Sequence, residues 1–378
     1  MKTPFQYGKL AEEGNFVNRI NEKKTLKTNL QSGINTMLIS PRRLGKSSLV
    51  KQAMKELQVE DNLLKICFID AFTILTEEEF YKVFVQEIIK STSSQWKNWV
   101  NTAKEFLKSF SPRISFGNDP MMDFSIGIDF KMLKENELEI LNLPEKIAKE
   151  KNIKIIVCID EFQNLARIGS YDVLEKKMRS VWQHQQNVTY CFYGSKRHMM
   201  MDIFNSTEKP FYRFGQIMFL SKIAENEWIN FIVNKFTETG KVIAPELAKN
   251  LVNEVELHSW YVQQLAHFVW NMTDNEVDND ILQQAIGQVI ETNLPFFKTE
   301  AEALSATQMN FLVAVARGER NFNSKETMEK YGLGTPSNIT KNKKLLQRKD
   351  FLDKTQDGFQ FLDPIFKKWL LKEYEFTN

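Results

Sequence analysis

The stretch Met37 to Met54, MLISPRRLGKSSLVKQAM, constrains this chain more than any other. An apolar run from Ile34 to Ile39 breaks at a short turn, meets Gly45-Lys46-Ser47-Ser48, and gives way to a pattern of helical period. Strand, loop and helix in that order match G-x-x-x-x-G-K-[ST] at every position but the first, where Ser40 stands for glycine. Such a loop turns backbone N–H groups inward on an anion, needs a glycine where the chain approaches closely, and carries a lysine that reaches the outer phosphates. Ser40, Pro41, Arg42, Arg43, Leu44, Gly45, Lys46, Ser47 and Ser48 are therefore expected to cradle phosphates, with the Ser47 hydroxyl offered to Mg²⁺. Two positions weaken the pattern: a serine tolerates positive φ less readily than glycine, and Pro41 has no N–H to give. The bland alternative is a solvated basic turn. The ligand implied by the motif is a nucleoside triphosphate.

A second segment points the same way. Lys154 to Glu161, KIIVCIDE, is a continuous apolar run of the kind a buried parallel strand shows, closed by two carboxylates. Ligands of open α/β sheets bind at the carboxyl ends of strands, which is expected to put Asp160 beside the phosphate loop. Asp160 would hold Mg²⁺ with Ser47, and Glu161 would orient and deprotonate an attacking water. The alternative is an ordinary strand running into a solvated acidic loop. The upstream Gly-Lys-Ser segment argues against it.

Between about 33 and 222 strand and helix patterns alternate. Strands are expected at Ile34–Ile39, Lys65–Asp70, Ile153–Ile159, Val188–Tyr193 and Gln216–Leu220, with helices at about 46–58, 77–90, 95–110, 140–150 and 171–186. This predicts a parallel sheet covered by helices on both faces. Period-two alternation at 113–116 and 122–130, around Gly117-Asn118-Asp119-Pro120, predicts a β-hairpin inserted at about 112–130. It reads either as surface decoration or as a contact for a partner or second subunit. Four amphipathic helices are expected from 223 to about 295: Ala224–Thr239, Pro245–Val255, Trp260–Met272 and Asn279–Thr292. From 303 onward, helices at Leu304–Arg317, Asn323–Tyr331 with Ser324 as N-cap, and one capped by Thr335 or Ser337 and running to about Gln347 precede two short strands, Phe351–Lys354 and Gly358–Leu362, around Gln356-Asp357. That is a winged-helix pattern. The expected domains are 1–222, 223–298 and 303–378.

Composition sets limits. The 378 residues are 42% hydrophobic and 26% charged, with a net charge of +2, so bulk charge announces neither a nucleic acid nor a membrane. Cys67, Cys158 and Cys191 lack metal-ligand spacing and fall in expected core strands, where they read as small reduced residues. The four histidines are scattered. There is no 18-residue apolar run and no signal-peptide pattern, so a cytoplasmic location without membrane contact is the default expectation. Charge is local instead. Between Lys330 and Lys354 seven basic residues, including Lys341, Lys343, Lys344, Arg348 and Lys349, face two acidic ones, Asp350 and Asp353. A basic third helix suits the phosphates of double-stranded DNA; the alternative is a solvated face on a domain used for protein contacts.

Taken together these motifs resemble AAA+-type P-loop ATPases, most of all the prokaryotic group called archaeal-type ATPases. Pro4-Phe5-Gln6-Tyr7-Gly8 and Phe16-Val17-Asn18-Arg19 are similar to that group's opening, and Ser40 to Leu49 to its S-P-R-R-x-G-K-S-S-L loop, which makes Ser40 a group habit. Asp160-Glu161-Phe162-Gln163 resembles its Walker B extension, Gly194-Ser195 the end of its sensor strand, Phe211-Tyr212-Arg213-Phe214 its P-[FL]-Y-x-R segment, and Asp363-Pro364-Ile365-Phe366 to Trp369-Leu370 the close of its winged helix. The resemblance spans nearly the whole chain. It implies a parallel-sheet P-loop NTPase fold of the ASCE type, a helical lid and a C-terminal winged helix, with ATP and Mg²⁺ as ligands. It also implies Ser195 as the residue that feels the γ-phosphate, and Arg213 as an arginine finger toward a neighbouring copy in a homo-oligomer or as the partner of a local carboxylate. Arg19 falls on the adenine side or is a surface charge. One departure is the lid segment His258 to His267, which has no arginine; His258 stands at the helix start as a cap or core residue or as a nucleotide contact.

Three functional readings follow. The leading one is an ATP-hydrolysing switch, in which nucleotide orders the lid and the winged helix passes the change to a partner. The others are a DNA-binding regulator with a structural nucleotide, and a signalling scaffold working through protein contacts. The absence of an N-K-x-D motif favours ATP over GTP.

Overall fold

Five parallel strands organise the first of two compact units, Arg19–Arg42 with Lys46–Ser221. The computed structural model describes residues 2–9, 14, 16–17, 19–93, 96–107, 113–115, 125–127, 130–355 and 358–374. Its strands are β1 (Thr36–Ile39), β2 (Leu64–Asp70), β3 (Arg113–Ser115), β4 (Ser125–Gly127), β5 (Lys154–Asp160), β6 (Val188–Gly194), β7 (Gln216–Phe219), β8 (Leu352–Thr355) and β9 (Gly358–Phe361). The main sheet runs β2-β5-β6-β1-β7. Every residue of β1 and β6 is buried, which is why both are largely apolar rather than alternating, with Thr36 and Thr189 as their buried polar members. The three cysteines lie in β2, β5 and β6 as buried free thiols.

Helices α1 (Ile20–Gln31), α2 (Lys46–Glu60), α3 (Glu77–Ser91), α4 (Trp96–Phe106), α5 (Phe130–Glu135), α6 (Glu137–Leu141), α7 (Leu143–Lys151), α8 (Tyr171–Trp182) and α9 (Arg197–Asn205) belong to this unit, with a 3-10 turn at Phe162–Arg167. Thr76 starts α3 through a capping box with Glu79. The helix expected at 140–150 is two helices, because Pro144 in the first turn of α7 removes an amide that a continuous helix would need. The helix expected to reach 186 stops at Trp182, and α5 and α9 were not marked by periodicity. The inserted hairpin pairs Arg113 with Gly127 in antiparallel register, and Ile126 is buried in the unit's core. Its expected turn, Gly117 to Pro120, lies outside the described residues, as do Met122 to Phe124.

The second unit comprises Met1–Asn18, Arg43–Gly45 and Lys222–Asn378. Its helices are α10 (Glu225–Glu238), α11 (Pro245–Glu254), α12 (Ser259–Met272), α13 (Asn279–Glu302), α14 (Ala306–Ala316), α15 (Lys325–Tyr331), α16 (Pro336–Arg348) and α17 (Pro364–Glu373). Helix α13 departs from expectation. It passes through Pro295 and ends at Glu302, not near Thr292. Phe297, beyond the proline, is buried against Phe366 and Trp369 with ring centroids 5.5 and 5.8 Å away, and that packing outweighs the lost amide. Ser324 and Thr335 cap α15 and α16 as expected, and β8 and β9 form an antiparallel wing. The Gln356-Asp357 turn lies outside the described residues. Among the described residues no helix is long and apolar enough to cross a membrane.

Candidate functional site

The loop after β1 gets its shape from backbone handedness. Arg43 and Gly45 take positive φ, 63° and 89°, while Leu44 between them does not. Left-handed residues on either side of Leu44 suit an anion nest, in which successive amides face one concavity, and α2 begins at the next residue, Lys46. Ser40 is not among the positive-φ residues, so the sequence-based concern about it does not arise. It is buried, continues the extended path of β1, donates its amide to the Gly194 carbonyl (3.3 Å) and its hydroxyl to the Pro41 carbonyl (2.9 Å). The left-handed burden falls on Arg43 instead, and for a side-chain-bearing residue it costs on the order of 1–2 kcal/mol. Leu44 is buried and anchors the loop; Arg42 and Arg43 are exposed, Pro41 half-buried, and Ser48 buried in the first turn of α2.

Strand order places the acidic pair. β6 lies between β1 and β5, so Asp160 is not on the strand neighbouring the loop. The side chains nevertheless converge at the carboxyl end of the sheet. Ser47 Oγ donates to Asp160 Oδ2 at 2.9 Å, and Lys46 Nζ lies 2.6 Å from Glu161 Oε1 and 3.6 Å from Asp160 Oδ1. Glu161 also accepts from Ser195 Oγ (2.8 Å) and Gln163 Nε2 (2.5 Å), and its own amide donates to Asp160 Oδ1 (2.8 Å). Glu161 takes φ 48°, a second left-handed side-chain-bearing residue at this site.

The two carboxylates are tuned apart. Burial pushes both up. For Asp160 it prevails, aided by the neighbouring Glu161 charge, although Lys46 and the Ser47 hydroxyl oppose it. For Glu161 the charge and hydrogen bond of Lys46, with Gln163 and Ser195, overcome burial and leave its pKa below the ordinary glutamate value. Glu161 is thus the more firmly ionised of the pair.

Sequence reasoning placed Gln163 in a motif but gave it no role. It is fully buried and reaches both Glu161 and the end of β6, where a Cβ on Gly194 would sit 1.9 Å from its Oε1. The glycine before Ser195 is therefore a space requirement. Its place at the end of the segment Asp160 to Gln163 says nothing of where its amide points. Other expected residues fall elsewhere. Arg213, at φ 54°, is exposed, lies over the Tyr212 ring at 5.2 Å and has no ion-pair partner among the described residues. Arg19 is not a surface charge: it is 3% exposed, donates to the Ser221 carbonyl (2.9 Å) and pairs with Glu22 (3.3 Å), and burial lowers its pKa. His258 is a buried residue at the start of α12 that makes no side-chain cap, with its ring 5.0 Å from Tyr261.

The winged-helix segment sorts its basic residues. Lys341, Lys344 and Arg348 are exposed on α16 at i, i+3 and i+7, one face of a helix. Lys343 is instead half-buried over the rings of Phe322 (5.0 Å) and Phe359 (5.8 Å), and Lys349 Nζ donates to the Ala303 carbonyl (2.9 Å). Two of the five expected DNA-facing cations are thus turned inward or tied down.

Comparison with known proteins supports this architecture. Residues 295–372 match the family model described as a probable winged helix domain. No curated protein sequence matches the chain. Among solved structures, the Walker-type ATPase PABY2304 of Pyrococcus abyssi superposes with a TM-score of 0.68 at 18% identity, covering 95% of this chain and 97% of that one. The Aeropyrum pernix ORC2 protein in its ADPNP–ADP complexes follows with a TM-score of 0.58 at 16% identity, covering 98% and 97%. Its ADP form gives 0.53 at 15% identity over the same shares. At such identities the likeness speaks for the fold: the chain has the AAA+-like, parallel-sheet P-loop fold of the Walker-type ATPases, with a C-terminal winged helix.

Proposed function

We propose that the protein binds and hydrolyses ATP and uses the nucleotide state to control a partner held by its winged helix. The observation that carries this reading is the meeting of Lys46, Ser47, Asp160, Glu161 and Ser195 within hydrogen-bonding range at the mouth of the loop. The donor set fits Mg²⁺: a serine hydroxyl and a carboxylate oxygen 2.9 Å apart are hard oxygen ligands on one spot, and phosphate oxygens would complete the shell. Bound there, Mg²⁺ would neutralise charge developing on the β- and γ-phosphates.

The protein's own residues do the rest. The nest at 43–45 and the first amides of α2 hold the phosphates. Lys46 is shared between Glu161 and the incoming phosphates, and this makes Glu161 responsive. While Lys46 pairs with it, Glu161 is a weak base. As Lys46 turns to the phosphates, Glu161 loses its strongest stabiliser and burial raises its proton affinity. Ser195 and Gln163 keep its carboxylate oriented toward the water that attacks the γ-phosphorus. Ser195 would sense the γ-phosphate through the same hydrogen bond. Arg213, exposed on a strained turn, would serve as a finger toward a second copy of the chain.

For the partner, the face of Lys341, Lys344 and Arg348 favours the backbone of double-stranded DNA. The test is steady-state ATPase activity and calorimetry of wild type and Glu161→Gln, with and without duplex DNA. Glu161→Gln should retain Mg-ATP binding and lose turnover by about 100-fold or more, a general base contributing on the order of 10²–10⁴. Undiminished turnover in that variant removes the catalytic assignment.

A further inference from the structure

The turn between α9 and β7 holds Arg213 on a rigid base. Phe211 and Phe214 are buried on either side of the Tyr212-Arg213 tip, with their ring centroids 5.0 Å apart and 5.8 and 6.0 Å from that of Phe192 in β6. The Tyr212 amide donates to the Lys209 carbonyl and the Phe214 amide to the Phe211 carbonyl, both at 3.0 Å. Asn35 Nδ2 donates to the Phe214 carbonyl at 3.3 Å. Gly215 then passes so close that a Cβ there would lie 2.0 Å from the Asn35 carbonyl oxygen. From this base Arg213 faces solvent at φ 54°, a left-handed backbone that costs a side-chain-bearing residue on the order of 1–2 kcal/mol.

A buried acid meets the start of this turn. Glu175 of α8 is fully buried, and neither of its carboxyl oxygens has a side-chain hydrogen-bond partner among the described residues. Lys209 Nζ lies 3.9 Å from Glu175 Oε2, with Asp172 Oδ1 as its nearer partner at 3.2 Å, and the Phe211 amide acts on the same carboxyl. Packing alone does not account for an acid here. A leucine fills similar space without the cost of burying an underpartnered carboxyl, about 1–3 kcal/mol.

The other groups that act on Glu175 are Asp172 on its own helix and Asp202 on α9. The Tyr171 hydroxyl, buried and without a hydrogen-bond partner among the described residues, feels its charge. Burial and the two acids favour the protonated form, while Lys209 and the Phe211 amide favour the ionised one. The carboxyl is therefore balanced between two charge states, and the groups that favour its ionisation belong to the turn.

We propose that Glu175 is a positioning residue for Arg213: through Lys209 and the Phe211 amide it sets the turn at 209–214, and with it the point from which the exposed guanidinium projects. This rests on the reading of Arg213 as a finger toward a second copy of the chain. Ionised Glu175 draws Lys209 and the Phe211 amide inward and tightens the turn. Protonated Glu175 leaves Lys209 to Asp172 and relaxes it. Being fully buried, Glu175 acts only through the turn.

The test is steady-state ATP turnover by the full chain from about pH 6 to about pH 8.5, comparing wild type, Glu175→Gln, Lys209→Ala, Arg213→Ala and the Glu175→Gln/Arg213→Ala double variant. Wild-type turnover should rise as pH passes about 7, where Glu175 ionises. Glu175→Gln keeps the shape of the side chain and should lose that rise. At the alkaline end it should be about tenfold slower than wild type, since misplacing a reacting group by about 1 Å costs up to about 100-fold. Lys209→Ala alters the turn without touching the buried core. It should keep the rise but move it to higher pH, because Lys209 favours the ionised form. Arg213→Ala should be slower by about 10³-fold, the low end for such a finger, and the double variant no slower than Arg213→Ala alone. A merely structural Glu175 would instead multiply with the loss at Arg213. A wild-type pH profile in Glu175→Gln, an unmoved rise in Lys209→Ala, or multiplying losses in the double variant overturns the proposal while leaving the finger intact. Wild-type turnover in Arg213→Ala removes the finger itself, and the proposal with it.

Discussion

Replacing Gly194 by alanine tests whether the end of β6 and the Glu161 cluster form one packed unit. The new Cβ would fall 1.9 Å from Gln163 Oε1, 3.1 Å from its Cδ and 2.9 Å from Met200 Sδ. The backbone is not at positive φ, so the penalty is purely steric. Gln163 is fully buried and has to retreat by about 1.5 Å to restore van der Waals contact. That movement pulls Nε2 from its 2.5 Å contact with Glu161. A hydrogen bond to a charged group contributes about 1.5–3 kcal/mol, and overpacking a buried site costs about 1–3 kcal/mol. Gly194→Ala should therefore destabilise the sheet unit by roughly 2.5–6 kcal/mol. At about 2–4 °C per kcal/mol, melting should fall by about 5–24 °C. In a Gln163→Ala background the obstructing amide is gone, Met200 can flex, and the same substitution should cost less than about 1 kcal/mol. Urea denaturation followed by far-UV circular dichroism on the four proteins of this cycle measures the coupling. Equal costs of Gly194→Ala in the two backgrounds would refute the reasoning, because the strain would then not pass through Gln163.

Other consequences are open to measurement. Glu175 is fully buried, and burial pushes its pKa up to about 7, with the Asp172 and Asp202 charges adding to the rise while Lys209 and the Phe211 amide oppose it. Folding thus retains a proton that the unfolded chain releases at its ordinary value of 4.5. The contribution is full below that value and is lost as pH rises toward 7, on the order of 3 kcal/mol in all. Thermal unfolding between pH 4.5 and 8 should show this decline in wild type and a flatter profile in Glu175→Gln; parallel profiles would contradict it. Neutralising Lys341, Lys344 and Arg348 together should reduce the salt slope of duplex-DNA binding by about 2.7, from about 0.9 per phosphate contact, whereas Lys349→Ala should leave it nearly unchanged. Equal effects of all four positions in fluorescence anisotropy would count against the face described. Lys46→Ala should abolish Mg-ATP binding in calorimetry, and it should also raise the pKa of Glu161, since the strongest influence holding that carboxylate down is removed.

Much of the site was legible because its parts are local. A loop between strand and helix and an apolar strand ending in two acids each carry their chemistry within a few residues. Their side-chain types singled out Lys46, Ser47, Asp160 and Glu161 as candidates, whereas Ser195 was reached only through a family resemblance. Hydrophobic period marked most helices and strands for the same reason. It failed where a neighbour in space prevailed. Phe297 kept α13 helical through Pro295, and Phe322 and Phe359 drew in Lys343, which the sequence counts as one more exposed cation.

What the order of residues determined by itself is the catalogue of elements and the chemistry at their ends, because turn residues, side-chain period and the phosphate-loop spacing act over short stretches of chain. Only the tertiary structure decided which ends meet. Lys46 and Glu161 are 115 residues apart and on elements separated by β6, so their 2.6 Å contact depends on strand order and on the direction each side chain takes. The same holds for Gln163 against Gly194, for Arg19 in its buried place beside Ser221, and for Arg43 on Trp260. Close packing is a property of surfaces brought together from distant stretches, and no local pattern encodes it.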